Sequence, residues 1–447
     1  MEKLALLGGP TAITERDNKK YQQKQVNENA KQRILSMLDS GEISRSESVA
    51  QFENQFASYI GTQYALAVCN GTSALISAIY AVGIGPGDEV IVPSFSFWAT
   101  SACVMAMHGI PIFADIDPLT YNMSPEDIER KVTKKTKAIV VVHVYGNPAD
   151  MQSIMRIAKK YNLSVIEDCS HAHGAIYKGQ KVGSIGDIGC FSLQAQKLVS
   201  AGEGGILTTN NDTFYKRAVS LGHYEKLQLI DDPAFSRFGL TGMGYKFRPH
   251  PLGVAIASEQ LCCLDEMNAI RNRNALKIEQ ALSMYSVFSH QKVIKDAIRQ
   301  FSYQYIRYHS EQFEDIPFTL ILKALRAEGA DITLCGFGKI HMNPLFTETP
   351  TYANNVEISQ NIDYNRNVSL PISEDITDTL FICAPRIEVD GTGVEEQYIF
   401  AYEKILNSGG DLKKYEKEHM EFSNYSSRQM DMIKAITKYR KSKKEKQ

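Results

Sequence analysis

Between about residues 45 and 210 the chain alternates short apolar runs with longer stretches whose apolar positions recur every three or four residues. Over 47–59, Val49, Phe52 and Phe56 fall at helical spacing, and Gly61 supplies a stop. The pattern then predicts strands over 64–68, 89–92, 110–114, 138–143 and 164–167. Between them it predicts helices over 72–82, 98–108, 125–132 and from just after Asn147 to Tyr161. Strands separated by helical crossovers of this length imply right-handed connections and a largely parallel sheet. The run Ile139-Val-Val-Val-His143 is apolar on both faces, as a strand covered from both sides should be. After residue 260 the character changes. One long helix is expected over 261–282, then a mixed α/β region to about 406, then a charged stretch from Gly409. The organisation expected is a large domain with an N-terminal arm (1–260), a smaller C-terminal α/β domain (261–408) and a tail (409–447).

Composition narrows the class. The 447 residues carry 49 Lys and Arg against 51 Asp and Glu, a formal charge of -2, which gives no general attraction to nucleic acid. Mean hydropathy is -0.25, and no run approaches the ~20 apolar residues that cross a bilayer. The apolar stretch at the start, Leu4 to Leu7, is stopped at once by Gly8, Gly9 and Pro10, so no secretory leader is expected. Eight scattered cysteines without a CxxC pair read as reduced thiols of a cytoplasmic protein. Lys438–Lys446 holds six basic residues and one acid, and reads as a solvated end before it reads as a binding arm.

Three stretches carry candidate chemistry. Cys69-Asn-Gly-Thr-Ser-Ala-Leu places Gly71, Thr72 and Ser73 between a strand and a helix, where free N–H groups and the helix dipole suit a phosphate. Taken alone it is weak, because such residues cap helices everywhere. In Val165-Ile-Glu-Asp-Cys-Ser-His-Ala-His an apolar strand ends in two acids, and Asp168 lies where open α/β sheets bind ligands. Cys169, His171 and His173 raise a metal site, but that spacing suits one ion poorly and no metal is expected. Lys197 follows Ser192 in a weakly polar stretch ahead of Gly202-Glu-Gly-Gly; a partly desolvated lysine favours the neutral, nucleophilic amine. An exposed lysine before a turn is the plainer reading of that residue alone. A phosphate cradle, a strand-end carboxylate and a lysine 29 residues beyond it are together the parts that hold pyridoxal 5'-phosphate.

The chain resembles the DegT/DnrJ/StrS aminotransferases, the sugar and cyclitol branch of fold-type I pyridoxal-phosphate enzymes. The matching stretches include CNGTSAL (69–75), VPSFSFWAT (92–100), VVHVYGNPADM (141–151), VIEDCSHAHGA (165–175), GCFSLQAQKLVSAGEGG (189–205) and GYKFRPHPLGVAIASEQL (244–261). The match is dense over about 5–260 and diffuse over 261–407. It implies an aspartate aminotransferase-like α/β fold and a homodimer with shared active sites. It also implies amino transfer from glutamate or glutamine to a keto-sugar, nucleotide-linked by first choice, or to a ketocyclitol. By the same resemblance Lys197 would condense with the cofactor's aldehyde, Asp168 would pair with the ring nitrogen, and Phe97 would stack on the ring. Gly71, Thr72 and Ser192 would hold the phosphate, with Ser73 beside them, and His171 would lie by the ring hydroxyl. Three departures stand out: Lys246 occupies the usual Asn position of a stretch that reaches the partner's phosphate, Pro249-His-Pro replaces a more helical start, and the tail has no counterpart. Retention of Lys197 separates the chain from the branch that carries histidine there and dehydrates sugars. Two rival readings are a regulator that holds the cofactor without turnover, and a dehydrogenase on the same sheet. The second lacks the G-x-G-x-x-G that it requires.

Overall fold

The computed structural model describes residues 2–23, 26–347 and 368–419. In chain order its strands are Tyr64–Val68 (β1), Glu89–Pro93 (β2), Ile110–Ala114 (β3), Thr136–Val142 (β4), Ser164–Asp168 (β5), Ile176–Tyr177 (β6), Gln180–Lys181 (β7), Ile188–Ser192 (β8), Gly205–Thr209 (β9), Phe288–His290 (β10), Ala297–Ile298 (β11), Gln304–Tyr308 (β12) and Leu380–Ala384 (β13). Among the described residues the main sheet has seven strands in the order β1-β9-β8-β5-β4-β2-β3. Its pairings are parallel from β3 through β8, and β9 alone runs against its neighbours β1 and β8. The carboxyl ends of β1, β2, β5 and β8 therefore open on one edge of the sheet.

Successive side chains of a strand point to opposite faces, and here both faces are buried. Ile139, Val141 and Val165 join a core with Phe52, Phe56 and Ile154, whereas Ala138, Val140 and Ile166 join one with Leu75, Ile79 and Val104. The helix that follows β1 starts where Asn70 turns its side-chain oxygen to the N–H of Ser73, 2.8 Å away, giving the helix Gly71–Ala81 a built cap.

The expectation of one helix over 261–282 is corrected. Pro251 opens a helix Pro251–Cys262, the chain turns at Cys263, and a second helix runs Leu264–Leu282. The turn divides the apolar face between two cores. Leu261 and Leu264 pack with the large sheet, while Ile278 and Leu282 pack with a separate core built on β10-β12-β13.

The start of the chain also differs from expectation. Leu4, Ile13 and Tyr21 belong to the core of the smaller sheet, not to the large domain. The carboxylate of Glu328 accepts the N–H groups of Ala5 (2.7 Å) and Ala12 (3.0 Å), and the Nζ of Lys404 bonds both Glu328 (2.9 Å) and the carbonyl of Pro10 (2.6 Å). At the other end Gly409–Glu418 is a helix whose Leu412 is buried in the same core. The basic run Lys438–Lys446 lies outside the described residues. No helix among the described residues is long and apolar enough to cross a membrane.

Candidate active site

Four strand ends supply the site. After β1 comes Gly71, and a side chain there would put its Cβ 2.8 Å from the Cβ of Ser192 at the end of β8. That contact is too close for any residue but glycine, so the first turn of Gly71–Ala81 lies directly against Ser192. Both β1 and β8 reach Gly205 at this point, Val68 and Ser192 being its partners on either side. Gly205 in turn leaves room for the backbone of Asn70, whose carbonyl oxygen would be 2.3 Å from an added Cβ. The result is a small-residue notch floored by helix N–H groups and edged by Thr72 and the Ser192 hydroxyl. Ser73, expected beside them, is spent internally: its N–H goes to Asn70, and its buried hydroxyl lies 3.2 Å from the Cys69 sulfur.

Asp168 ends β5 and is buried. Its Oδ2 accepts the hydroxyl of Thr100 at 2.8 Å and its Oδ1 accepts the N–H of Ser170 at 3.1 Å, so the carboxylate is held from two sides. Thr100 stands in the first turn of the helix Ala99–Ala106, and its N–H bonds the carbonyl of Phe97 at 3.1 Å. Phe97 is thereby fixed one turn from the carboxylate with its ring 51% exposed, available to a flat ligand. The sequence reading passed over Thr100; its spacing of three from Phe97 was the available signal.

Lys197 sits between β8 and β9, with its N–H bonded to the carbonyl of Gln194 at 2.8 Å. Burial pushes its amine down to about 8, Asp168 pulls the other way and the Arg386 cation adds to the lowering. The same burial, with the Lys197 charge second, drives His171 well below the ordinary histidine value, and takes His173 down to about 3. Both rings are thus neutral. The Nδ1 of His171 is buried without a hydrogen-bond partner among the described residues. The imidazole lies parallel to Tyr145 and Phe337 at 5.8 and 5.9 Å, and those two rings are parallel to each other at 5.2 Å.

Lys246 is exposed, and none of the described contacts brings it to the notch of its own chain. Its neighbour Phe247 is tied down, accepting the N–H of Cys69 at 2.7 Å. Arg386, which follows β13, was not anticipated. It faces Lys197 across a cavity of about 290 Å³, and nothing in its local sequence marks it. His341 is buried against Glu374 (3.1 Å) and Phe113 (6.3 Å), a packing role.

A second polar cluster lies under the site. His143, Glu167 and Cys169 bring potential ligand atoms within 4.8 Å of one another, all buried. The Glu167 oxygens are already occupied by His143 Nε2 (3.0 Å) and by the N–H groups of Gly183 (3.0 Å), Ile185 (2.8 Å) and Gly186 (2.7 Å). His143 Nδ1 accepts the N–H of Ala149 at 3.1 Å. This is a hydrogen-bonded latch that fixes the end of β5, one residue before Asp168.

The geometry can be set beside known proteins. The model of the DegT/DnrJ/EryC1/StrS aminotransferase family matches residues 24–381. An L-glutamine:2-deoxy-scyllo-inosose aminotransferase of Streptomyces fradiae is 33% identical over 372 residues, 81% of this chain and 87% of the relative. A GDP-perosamine synthase of Escherichia coli O157:H7 is 42% identical over 232 residues, 52% of this chain and 62% of the relative. Among solved structures, an aminotransferase from Psychrobacter cryohalolentis superposes with a TM-score of 0.75 at 27% identity, covering 87% of this chain and 99% of its own.

Proposed function

Because the chain belongs to the DegT/DnrJ/EryC1/StrS aminotransferase family, we propose that it moves an amino group from glutamine or glutamate to a ketone of a nucleotide-linked sugar or a ketocyclitol, with pyridoxal 5'-phosphate as its cofactor. The observation that carries the reading is the Lys197 amine, lowered to about 8 and electrostatically paired with the buried carboxylate of Asp168. A lysine so placed is neutral in a useful fraction near neutral pH, as a nucleophile must be.

The residues fit the cofactor on three counts. The close Gly71–Ser192 contact sets the first turn of a helix beside the Ser192 and Thr72 hydroxyls, Asp168 is buried yet held ready for a cation, and His171 has a buried Nδ1 without a partner among the described residues. Gly71, Thr72 and Ser192 would hold the phosphate, Asp168 a proton on the ring nitrogen, His171 the ring hydroxyl and Phe97 the ring face. When bound, the cofactor supplies an aldehyde for amines and a ring that accepts electrons from the carbon beside the nitrogen. Lys197 is the residue that takes the proton from the donor's α-carbon and returns it, acting as base and then acid. Thr100 keeps Asp168 aimed, and the latch below β5 keeps its strand end from shifting.

The same reading makes the protein a cytoplasmic homodimer. The eight cysteines are free thiols, consistent with a reducing compartment. Leu229 and Leu240, 84% and 85% exposed, precede Lys246 in the chain, as does the exposed Tyr245. A second subunit would cover that apolar edge and bring Lys246 to its partner's phosphate notch.

The direct test is Lys197→Ala. With glutamine and a panel of keto-sugars and ketocyclitols, wild-type protein should transfer nitrogen and the variant should not. Borohydride treatment followed by peptide mass spectrometry should place the cofactor on Lys197. Transfer that survives the substitution would falsify the assignment.

A further inference from the structure

Five residues, Arg299 to Tyr303, join β11 to β12 with no strand or helix of their own. Backbone outside a ladder must find its hydrogen bonds elsewhere, and here side chains and neighbouring turns supply them. Asn272 donates from Nδ2 to the carbonyl of Arg299 at 3.1 Å and accepts the N–H of Phe301 at 3.2 Å. Gln300 donates to two turns of the large domain, to the carbonyl of Gly174 from its side chain and to that of Gly146 from its N–H, both at 3.0 Å. Tyr303 then reaches the candidate site. Its hydroxyl donates to Gln196, the residue before Lys197, at 3.3 Å, and its ring stands across the His171 imidazole at 5.9 Å. The Arg386 cation, which helps lower the Lys197 amine, lies over the same tyrosine ring, 5.9 Å from its centre.

The start of the segment holds a charge that the site itself does not use. Arg299 is buried, its guanidinium 4.2 Å from the centre of the Phe301 ring. Its Nη2 donates to the carbonyl of Tyr303 at 3.3 Å, whereas Nε and Nη1 have no hydrogen-bond partner among the described residues. Glu279, on the helix Leu264–Leu282, faces Nη1 at 3.8 Å, beyond hydrogen-bond reach, and its Oε2 is likewise buried and unpartnered. His290 stands 4.0 Å from that oxygen; burial, then the Arg299 cation, takes it down to about 4, so it adds no charge. Removing one member of a buried ion pair is costly, yet replacing both by apolar side chains is often neutral or stabilising. Such a pair is a poor source of stability.

Resting on the amino-transfer reading, we propose that Arg299 is a positioning residue for the reaction: it fixes Tyr303, and through Tyr303 the turn that carries Lys197. The guanidinium that begins the segment closes on the carbonyl that ends it, so the five residues keep one shape although no ladder holds them. Tyr303 is the strut between that closed segment and Gln196. Glu279 balances the charge from the side of Nη1 and leaves Nη2 to the carbonyl.

The experiment uses the full-length protein with both members replaced, Arg299→Met together with Glu279→Met. Its denaturant midpoint should equal or exceed that of wild type, while turnover of the loaded enzyme, with glutamine and whichever ketone of the panel it aminates fastest, falls at least tenfold. In cofactor-free protein the acylation rate of Lys197 should level above the wild-type value of about 8, because a loosened turn admits water to the amine. Adding Tyr303→Phe to the double variant should cost little more, since groups in one contact chain are not additive. Wild-type turnover, an unchanged Lys197 profile, or a Tyr303→Phe loss that multiplies in full would each overturn the proposal. If the double variant does not fold, Arg299→Lys decides. It keeps the charge opposite Glu279, but one ammonium on a shorter stem cannot also reach the Tyr303 carbonyl, so the same loss and the same changed profile are expected, and wild-type behaviour overturns the proposal. The amino-transfer reading is tested apart from this: it fails if wild-type protein transfers no nitrogen or if Lys197→Ala still does.

Discussion

The base role proposed for Lys197 rests on where it lies, and that can be measured without a substrate. An amine lowered to about 8 should react with an acylating reagent at a rate that climbs with pH and levels off near that value in cofactor-free protein. A lysine at the ordinary 10.5 would continue to climb far beyond it. Mass spectrometry of labelled peptides separates the two, and a Lys197 profile that levels only above 10 would remove the burial argument. Thr100 gives a second residue-scale expectation. Its hydroxyl bonds a buried carboxylate, a class of hydrogen bond worth roughly 1.5–3 kcal/mol. Thr100→Val should lose about that much in denaturant unfolding and retain the cofactor less well, whereas Thr100→Ser should restore both.

At the scale of elements, the close contacts around Gly71 predict an asymmetry among glycines. Gly71→Ala must displace Ser192 and should cost roughly 1–3 kcal/mol as overpacking does, with reduced affinity for inorganic phosphate. Gly85→Ala meets nothing within 4 Å and should leave both unchanged. The latch under β5 adds a pH expectation. Burial pushes the Glu167 carboxyl up, but His143 and the N–H groups of Gly183 and Gly186 outweigh it and hold the group below its ordinary 4.5. A carboxyl lowered in the folded state adds stability above its unfolded value, and that contribution is lost as pH falls through the folded one. Wild-type protein should therefore lose stability in acid below about 4.5, and Glu167→Gln should flatten that dependence while costing roughly 1–3 kcal/mol at neutral pH. Much at this scale was legible beforehand. The strands over 64–68 and 110–114 have the bounds that the sequence pattern predicts, because buried strands advertise themselves as apolar runs between turns. The break at Cys263 was not legible, since apolar spacing runs through it and only the two cores it serves explain the bend. Of the candidate site, the places of Gly71, Asp168 and Ser192 beside strand ends were legible in the apolar runs, whereas Lys197 lies in the connection between β8 and β9. Arg386 was not legible, because tertiary closure alone brings residue 386 to residue 197.

For the molecule as a whole, the proposed homodimer with shared active sites predicts that subunits complement one another. Light scattering should give twice the 50.0 kDa chain mass. Mixing Lys197→Ala with Lys246→Ala subunits, unfolding and refolding together, should regain part of the activity that neither variant has alone, because one hybrid site receives both wild-type residues. An active monomer, or no regained activity, would leave Lys246 without its role.

The clasp formed by Glu328, Lys404 and the backbone of residues 5–12 has a consequence for how the chain is made. Residues 4–21 leave the ribosome long before the groups that hold them, which lie more than 300 positions later in the chain. During synthesis the large sheet can assemble while this leading strip remains solvated and open to proteolysis. The strip docks only after the helix Val394–Leu406 has emerged. Nascent chains halted before residue 394 should therefore be clipped within their first twenty positions under mild protease, and chains released at full length should not.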